Sequence, residues 1–235
     1  MAWESPGFQM ARPEVSDVLV QESRRAFMSR VYGWMFAGLA ITGIVALYAA
    51  TSEAVLMQVI QWRWGLFLAQ IGLALALSGM AARLSGAVAA AMFLAYSVLT
   101  GLTFSVIFLI YTSASIGNAF LLTAGTFGAM SAYATFTKKD LSPWGTFLIM
   151  GAIGCVVGSI IQAIWPSPML NFVLGCAGVI AFSGLTAYDT QKLREMHAEA
   201  GYESAASLSI SGALMLYLDF INLFIALLRL FGSRR

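Results

Sequence analysis

Apolar runs of about 20 residues follow one another almost from end to end of this chain, and they leave it few ways to fold. Seven can be drawn, at about 31–50, 64–82, 87–110, 117–137, 143–165, 169–187 and 208–230. A helix that crosses the hydrocarbon core of a bilayer needs about 20 apolar residues, within a range of about 17–25, and each run is near that length. A spanning β-barrel would show alternation over about 10 residues, whereas these runs are apolar throughout. Composition agrees, since 60% of the 235 residues are apolar and 10% charged, against roughly 25% charged in soluble domains. No stretch is left for a second soluble domain of about 100 residues. The chain reads as an all-α integral membrane protein: a polar, cytoplasmic N-terminal arm at 1–30, then one seven-helix transmembrane bundle at 31–235.

Connections such as Arg83–Gly86 and Pro166–Pro168 are very short, which forces antiparallel neighbours into one up-and-down bundle. Orientation follows from lysine and arginine. With the N-terminus cytoplasmic, that side collects Arg12, Arg24, Arg25, Arg30, Arg83, Lys138, Lys139, Lys192 and Arg194. The far side holds Arg63, Arg229, Arg234 and Arg235. The C-terminal group runs against the rule. Either the last helix crosses despite it, or one run is re-entrant; seven full crossings is the favoured reading. The first run starts too late and is too long for a signal-peptide core, so it reads as a retained anchor.

Several function classes fall away. A net charge of +2 from 13 basic and 11 acidic residues, with no dense basic block, gives no sign of nucleic-acid binding. Cys155 and Cys176 lie inside apolar runs and read as small packing residues, not a disulfide. His197 is the sole histidine, expected in a charged loop, which excludes a multi-histidine metal site. No phosphate-binding glycine loop, nucleophile triad or zinc spacing occurs. Gly151, Gly154 and Gly158, followed by Gly175 and Gly178, suggest close helix packing, with a GxxxG spacing at Gly154–Gly158.

The residues that do not belong in lipid carry the most information. Asp219 lies near the middle of the last run, where an aspartate costs about 2.5–3.5 kcal/mol on insertion scales. Such a residue faces a polar cavity or a partner, and Asn222, three residues on, shares roughly its face. Asp189, at the end of the sixth run, is the natural partner. Two carboxylates brought together in low dielectric do not both ionise easily, so one proton is shared between them, a pH sensor by construction. Arg83 should lie on the same side of the membrane as Asp189. Two simpler readings stay open: Asp189 as a helix-end carboxylate in the headgroup zone, and Asp219 as a structural hydrogen-bonding group. If the sixth helix stops at Ala187, the two carboxylates differ in depth by around 15 Å at about 1.5 Å per residue. They meet only if that helix continues towards Arg194, the seventh starts after Leu208, or the helices tilt. Gln70, Tyr96, Thr100, Thr103, Gln162 and Thr186 read as bridges between helices.

The segments Ala187-Tyr188-Asp189-Thr190-Gln191 and Leu216-Tyr217-Leu218-Asp219-Phe220-Ile221-Asn222-Leu223-Phe224 resemble the Bax inhibitor-1 family of transmembrane proteins, in its bacterial branch. The resemblance extends over essentially all seven runs. It implies a bundle whose last helix is central and an aspartate pair acting as the pH sensor of a calcium leak, at positions matching Asp189 and Asp219. It also implies an arginine gate, best matched by Arg83. A glutamate that some members carry in the second helix has no counterpart here. The leading expectation is a pH-sensitive calcium leak channel in the bacterial inner membrane, tied to a stress response. Asp189 and Asp219 would touch calcium transiently, with no tightly bound cofactor, and Asn222, Tyr188 and Gln191 would line the path or bridge helices. The alternative is a non-transporting regulator of another membrane protein, such as a quality-control protease, working through the arm 1–30. An intramembrane aspartyl protease is disfavoured, because Leu216-Tyr217-Leu218 precedes Asp219 where such enzymes carry a glycine motif; no enzymatic activity is expected.

Overall fold

A computed structural model of the chain describes residues 12–80, 83–200 and 206–235. Its helices are α1 (Arg12–Ala50), α2 (Glu53–Gln61), α3 (Arg63–Gly79), α4 (Gly86–Phe104), α5 (Ile107–Ile110), α6 (Ser113–Phe136), α7 (Ser142–Ile164), α8 (Pro168–Glu199) and α9 (Ala206–Phe231). Among the described residues, six stretches are long and apolar enough to cross a membrane: Val18–Ala50, Gly86–Ile110, Ser113–Phe136, Ser142–Ile164, Pro168–Glu199 and Ala206–Phe231. The α2–α3 pair, bent by 72°, makes a seventh if it is counted as one span.

Local chemistry accounts for several of these boundaries. The sequence runs draw no helix over 53–61, yet Ser52 starts one there, its Oγ accepting from the Val55 N–H at 3.4 Å. Leu56 and Val59 bury one face of the resulting short helix. Ser85, Thr112 and Ser167 cap α4, α6 and α8 in the same way, satisfying amide groups that a helix start leaves open. At the start of α7, Asp140 Oδ1 accepts from the Ser142 N–H at 2.9 Å, and this bond holds the exposed Asp140 carboxyl below the usual carboxylate range. The expected boundary between arm and first span, at 30/31, falls inside the unbroken helix α1. At about 1.5 Å per residue its 39 residues reach about 58 Å, nearly twice the ~30 Å of the hydrocarbon core. Residues 1–11 of the arm lie outside the described residues.

α9 packs against α1, α3, α4, α6 and α8. Of its most apolar stretch, 61% is buried, against 11–39% in the other five long spans. The outer helices turn large apolar side chains outward, for example Leu75, Leu121, Met150 and Ile180. Glycine sets the close approaches. On α8, a Cβ at Gly175 would stand 2.7 Å from the Leu230 side chain, and one at Gly178 would stand 2.8 Å from Ala226 Cβ. On α7, Gly151 and Gly158 face Ala181 and Leu174 of α8, but Gly154 meets nothing within 4 Å. The expected GxxxG seam is therefore carried by Gly151 and Gly158 around the buried Cys155, because Gly154 lies off that face. Cys155 and Cys176 are free thiols.

The two ends of the bundle differ. The first half of α1 packs beside the end of α8, where Phe27 stacks on His197 at 4.5 Å. The C-terminus lies at the other end and pairs with the α5–α6 connection: the Thr112 N–H donates to the Ser233 carbonyl at 3.1 Å and the Arg235 N–H to the Ile110 carbonyl at 3.0 Å. His197 is thus not in a loop, as the charged sequence around it suggests. It is fully buried in the last turn of α8, because that helix continues well past its apolar run.

At Gly101 α4 approaches the α1 backbone itself, and a Cβ there would come within 2.8 Å of the Thr42 carbonyl oxygen. Backbone cannot yield as a side chain can. Gly101→Ala is expected to destabilise the bundle by about 1–3 kcal/mol, read from unfolding in mixed detergent micelles. Gly125→Ala, at a site with nothing within 4 Å, should be neutral or stabilising by up to about 1 kcal/mol.

Candidate functional site

The antiparallel register of α8 and α9 brings the two aspartates together. Gly175 lies against Leu230, Gly178 against Ala226 and Leu193 against Gly212, so positions fall in pairs that place Asp219 about one helical turn, ~5.4 Å, from the level of Asp189. Side chains bridge that offset. The two carboxyl groups come close enough to act on each other. The depth problem posed by the sequence is resolved by α8, which continues past Ala187 to Glu199.

Asp219 is only 4% exposed. Among the described residues no N–H or hydroxyl group reaches its buried Oδ2, and the side chain that faces it is the Asp189 carboxyl. Two ionised carboxylates are acceptors only and cannot bond to each other, so a contact of this kind requires a proton between them. The cation acting on Asp189 is Lys192, one turn along α8, with its Nζ 5.5 Å from the centre of the Tyr188 ring. The pair has no third ligand: among the described residues no group of three His, Cys, Asp or Glu side chains could hold a metal. Two carboxylates offer fewer oxygens than the 6–8 that calcium prefers.

The other sequence candidates fall in different places. Arg83 is exposed in the linker between α3 and α4, and the structure does not bring it against the pair. That linker is nevertheless at the pair's end of the bundle, since a Cβ on the adjacent Gly86 would stand 2.9 Å from Ala206 Cβ at the start of α9. Gln191 clamps the α6–α7 connection: its Oε1 accepts from the Leu141 N–H at 2.8 Å, and its Nε2 donates to the Lys139 carbonyl at 3.0 Å. The Tyr188 ring packs where a Cβ on Gly145 would stand, tying α7 to α8. Asn222 Nδ2 donates to the Leu218 carbonyl at 2.8 Å within α9, and the residue lines a separate cavity. Gln70 does bridge helices, donating to Thr103 at 3.2 Å and Thr100 at 3.4 Å. Thr186 bonds its own helix and Gln162 the turn that follows its helix.

One cluster went unseen in the sequence. On the opposite flank of α9, the Tyr217 hydroxyl and Thr42 Oγ1 are 2.6 Å apart, and Thr42 Oγ1 donates to the Ser97 carbonyl at 2.9 Å. Tyr96 and Phe93 meet the Tyr217 ring edge-on. A single threonine in an apolar run carries no signal by itself; the only hint was the tyrosine two residues before Asp219. Asp219 thus lies on a helix fixed by polar contacts to α8 on one side and to α1 and α4 on the other.

A helical integral membrane protein with a buried aspartate on its last helix, met by a half-buried one on the helix before, is the class these features define. The family model described as "Inhibitor of apoptosis-promoting Bax1" matches residues 24–235. The chain is 48% identical over 228 residues to "Inner membrane protein YbhL" of Escherichia coli (strain K12), covering 94% of this chain and 97% of the relative. It is also 48% identical over 212 residues to a protein of Deinococcus radiodurans, covering 89% and 91%, and 37% identical over 217 residues to RP147 of Rickettsia prowazekii, covering 91% and 92%. The chain belongs to the Bax inhibitor-1 family.

Tyr217→Phe is expected to cost about 0.6 kcal/mol, the average for side-chain hydrogen bonds between membrane helices. Thr42→Val should cost more, up to about 1.7 kcal/mol, because it also removes the bond to the Ser97 carbonyl. Unfolding in mixed micelles measures both.

Proposed function

We propose that this protein is a pH-sensitive calcium leak of the bacterial inner membrane, with Asp189 and Asp219 as its sensor. The observation that carries the reading is the approach of the half-buried Asp189 carboxyl to the buried Asp219 carboxyl, with no donor among the described residues at Asp219 Oδ2. While the pair holds one proton, it carries a single negative charge and keeps α8 and α9 closed on each other. As pH rises and that proton leaves, two like charges face each other in low dielectric and drive the helices apart. The freed carboxylate oxygens are hard ligands that suit calcium in transit. Arg83 is the gate residue in this reading: it stands on the α3–α4 linker at the pair's end of the bundle, and its approach to the pair would favour both charges. The bent α2–α3 pair is taken as one crossing. This gives seven spans with α9 at the centre, the N-terminus cytoplasmic and the C-terminus on the far side. No catalytic step is assigned.

Calcium flux into proteoliposomes tests the reading. Wild-type protein should pass more calcium at mildly alkaline than at mildly acid pH. Asp219→Asn and Asp189→Asn should each abolish that dependence, since an amide cannot change its charge. Unchanged flux and an unchanged pH response in both variants would sink the proposal.

A second reading, a non-transporting regulator of a membrane protein such as a quality-control protease, is favoured by the overhang of α1. Its length exceeds what the bilayer needs, and Val18 and Leu19 there are exposed. Deleting residues 1–22, which stops short of the Ser23 and Phe27 contacts to His197, should then release a copurifying protease while leaving the bundle folded.

A further inference from the structure

A cavity of about 400 Å³ opens between α3, α7, α8 and α9 at the C-terminal end of the bundle. It is separate from the aspartate pair. Two cations stand in its wall, Arg63 at the start of α3 and Arg229 in the last turn of α9. The described lining contains no acidic residue. Arg229 is half-buried, and its Nη2 donates to Ser159 Oγ of α7 at 3.0 Å, which aims the guanidinium into the cavity and leaves its remaining donors available. Arg63 Nη1 donates to the Ile60 carbonyl at 3.1 Å, and its guanidinium lies 5.9 Å from the centre of the Trp64 ring. Asn222 and Thr103 add polar atoms deeper in. Two like charges facing one cavity, with no counter-charge in its wall, are stabilised by an anion between them.

The position of the cavity says where the anion comes from. Trp62, Trp64 and Trp165 are all exposed at this end, and exposed tryptophans on a membrane protein mark the headgroup level. Arg63 lies in that belt. Below it the wall is apolar, formed by Phe67, Ile160, Leu174 and Phe182, and Val156, also in the wall, is open to the surrounding lipid. A hydrated inorganic anion gains nothing from such a wall, whereas an acyl chain does. Guanidinium forks match phosphate oxygens in bidentate fashion.

We propose that this cavity binds a membrane phospholipid, its phosphate held between Arg63 and Arg229 and one acyl chain lying in the apolar part below. The site also accounts for arginines at the end of the bundle away from the basic loops: there they are neutralised by lipid phosphate.

Native mass spectrometry of the purified full-length protein, titrated with phosphatidylglycerol in detergent, tests this directly. Wild type should retain one phosphatidylglycerol. Arg63→Gln and Arg229→Gln should each weaken retention about tenfold or more, the scale of one charge-assisted hydrogen bond. Ala163→Phe, which crowds the cavity with both arginines intact, should weaken it as well. Lys138→Gln, at the opposite end, should bind like wild type. Diacylglycerol with the same chains should not be retained, and glycerol phosphate should not displace the lipid. Equal retention by wild type and the double variant Arg63→Gln/Arg229→Gln would overturn the proposal. So would retention of diacylglycerol, or displacement by glycerol phosphate, which would make the ligand a free anion. None of these readouts depends on calcium flux.

Discussion

The close antiparallel packing of α8 on α9 is the constraint on which the rest of the structure depends. Gly175, Gly178 and Gly212 remove the side chains that would hold the two helices apart, and their spacing fixes the register. Once it is fixed, the carboxyls of Asp189 and Asp219 have no choice but to meet. A carboxyl group at that depth is costly alone, and in the proposed reading its cost is offset by a proton shared with a neighbour of the same kind. The same packing makes the site sensitive, since any second charge at the pair pushes directly on the best-packed seam of the bundle.

Helix length does the rest of the positioning. α8 has 32 residues, about 48 Å at about 1.5 Å per residue, so it overshoots the hydrocarbon core. The overshoot carries the residues that organise one end: Gln191 and Arg194 tie down the α6–α7 connection and the end of α6, while His197 anchors α8 to α1 through Ser23 and Phe27. At the other end, the C-terminal residues pair with the α5–α6 connection. The end that carries His197 is therefore built by one long helix. The far end carries the exposed Trp62, Trp64 and Trp165 and the arginine-walled cavity between α3, α7, α8 and α9.

Much of the architecture was legible in the sequence because a bilayer permits so little. Continuous apolar runs leave helices as the only choice, and six of the seven expected runs appear as long spans. The bend between α2 and α3 was hidden because Ser52 and Glu53 signal a helix start in a stretch that otherwise reads as a connection. The aspartates stood out because charge in a membrane is rare, and family resemblance picked out the same two positions. Their contact could not be read, since it depends on how far α8 runs past Ala187, and hydropathy falls there while the helix does not. Arg83 stands exposed in the α3–α4 linker and not against the pair, for sequence suggests a side of the membrane and not a direction. Thr42 drew no attention as a single polar residue, and Arg229 only as a misplaced charge, because their partners lie on other helices.

The proposed pH response depends on one proton held between Asp189 and Asp219. Difference infrared spectroscopy of the reconstituted protein, following the carboxyl C=O stretch from mildly acid to mildly alkaline pH, observes that proton directly. A protonated-carboxyl band that fades as pH rises, and that changes in both Asp189→Asn and Asp219→Asn, is the predicted result. No such band at acid pH, or one untouched by both substitutions, would contradict it.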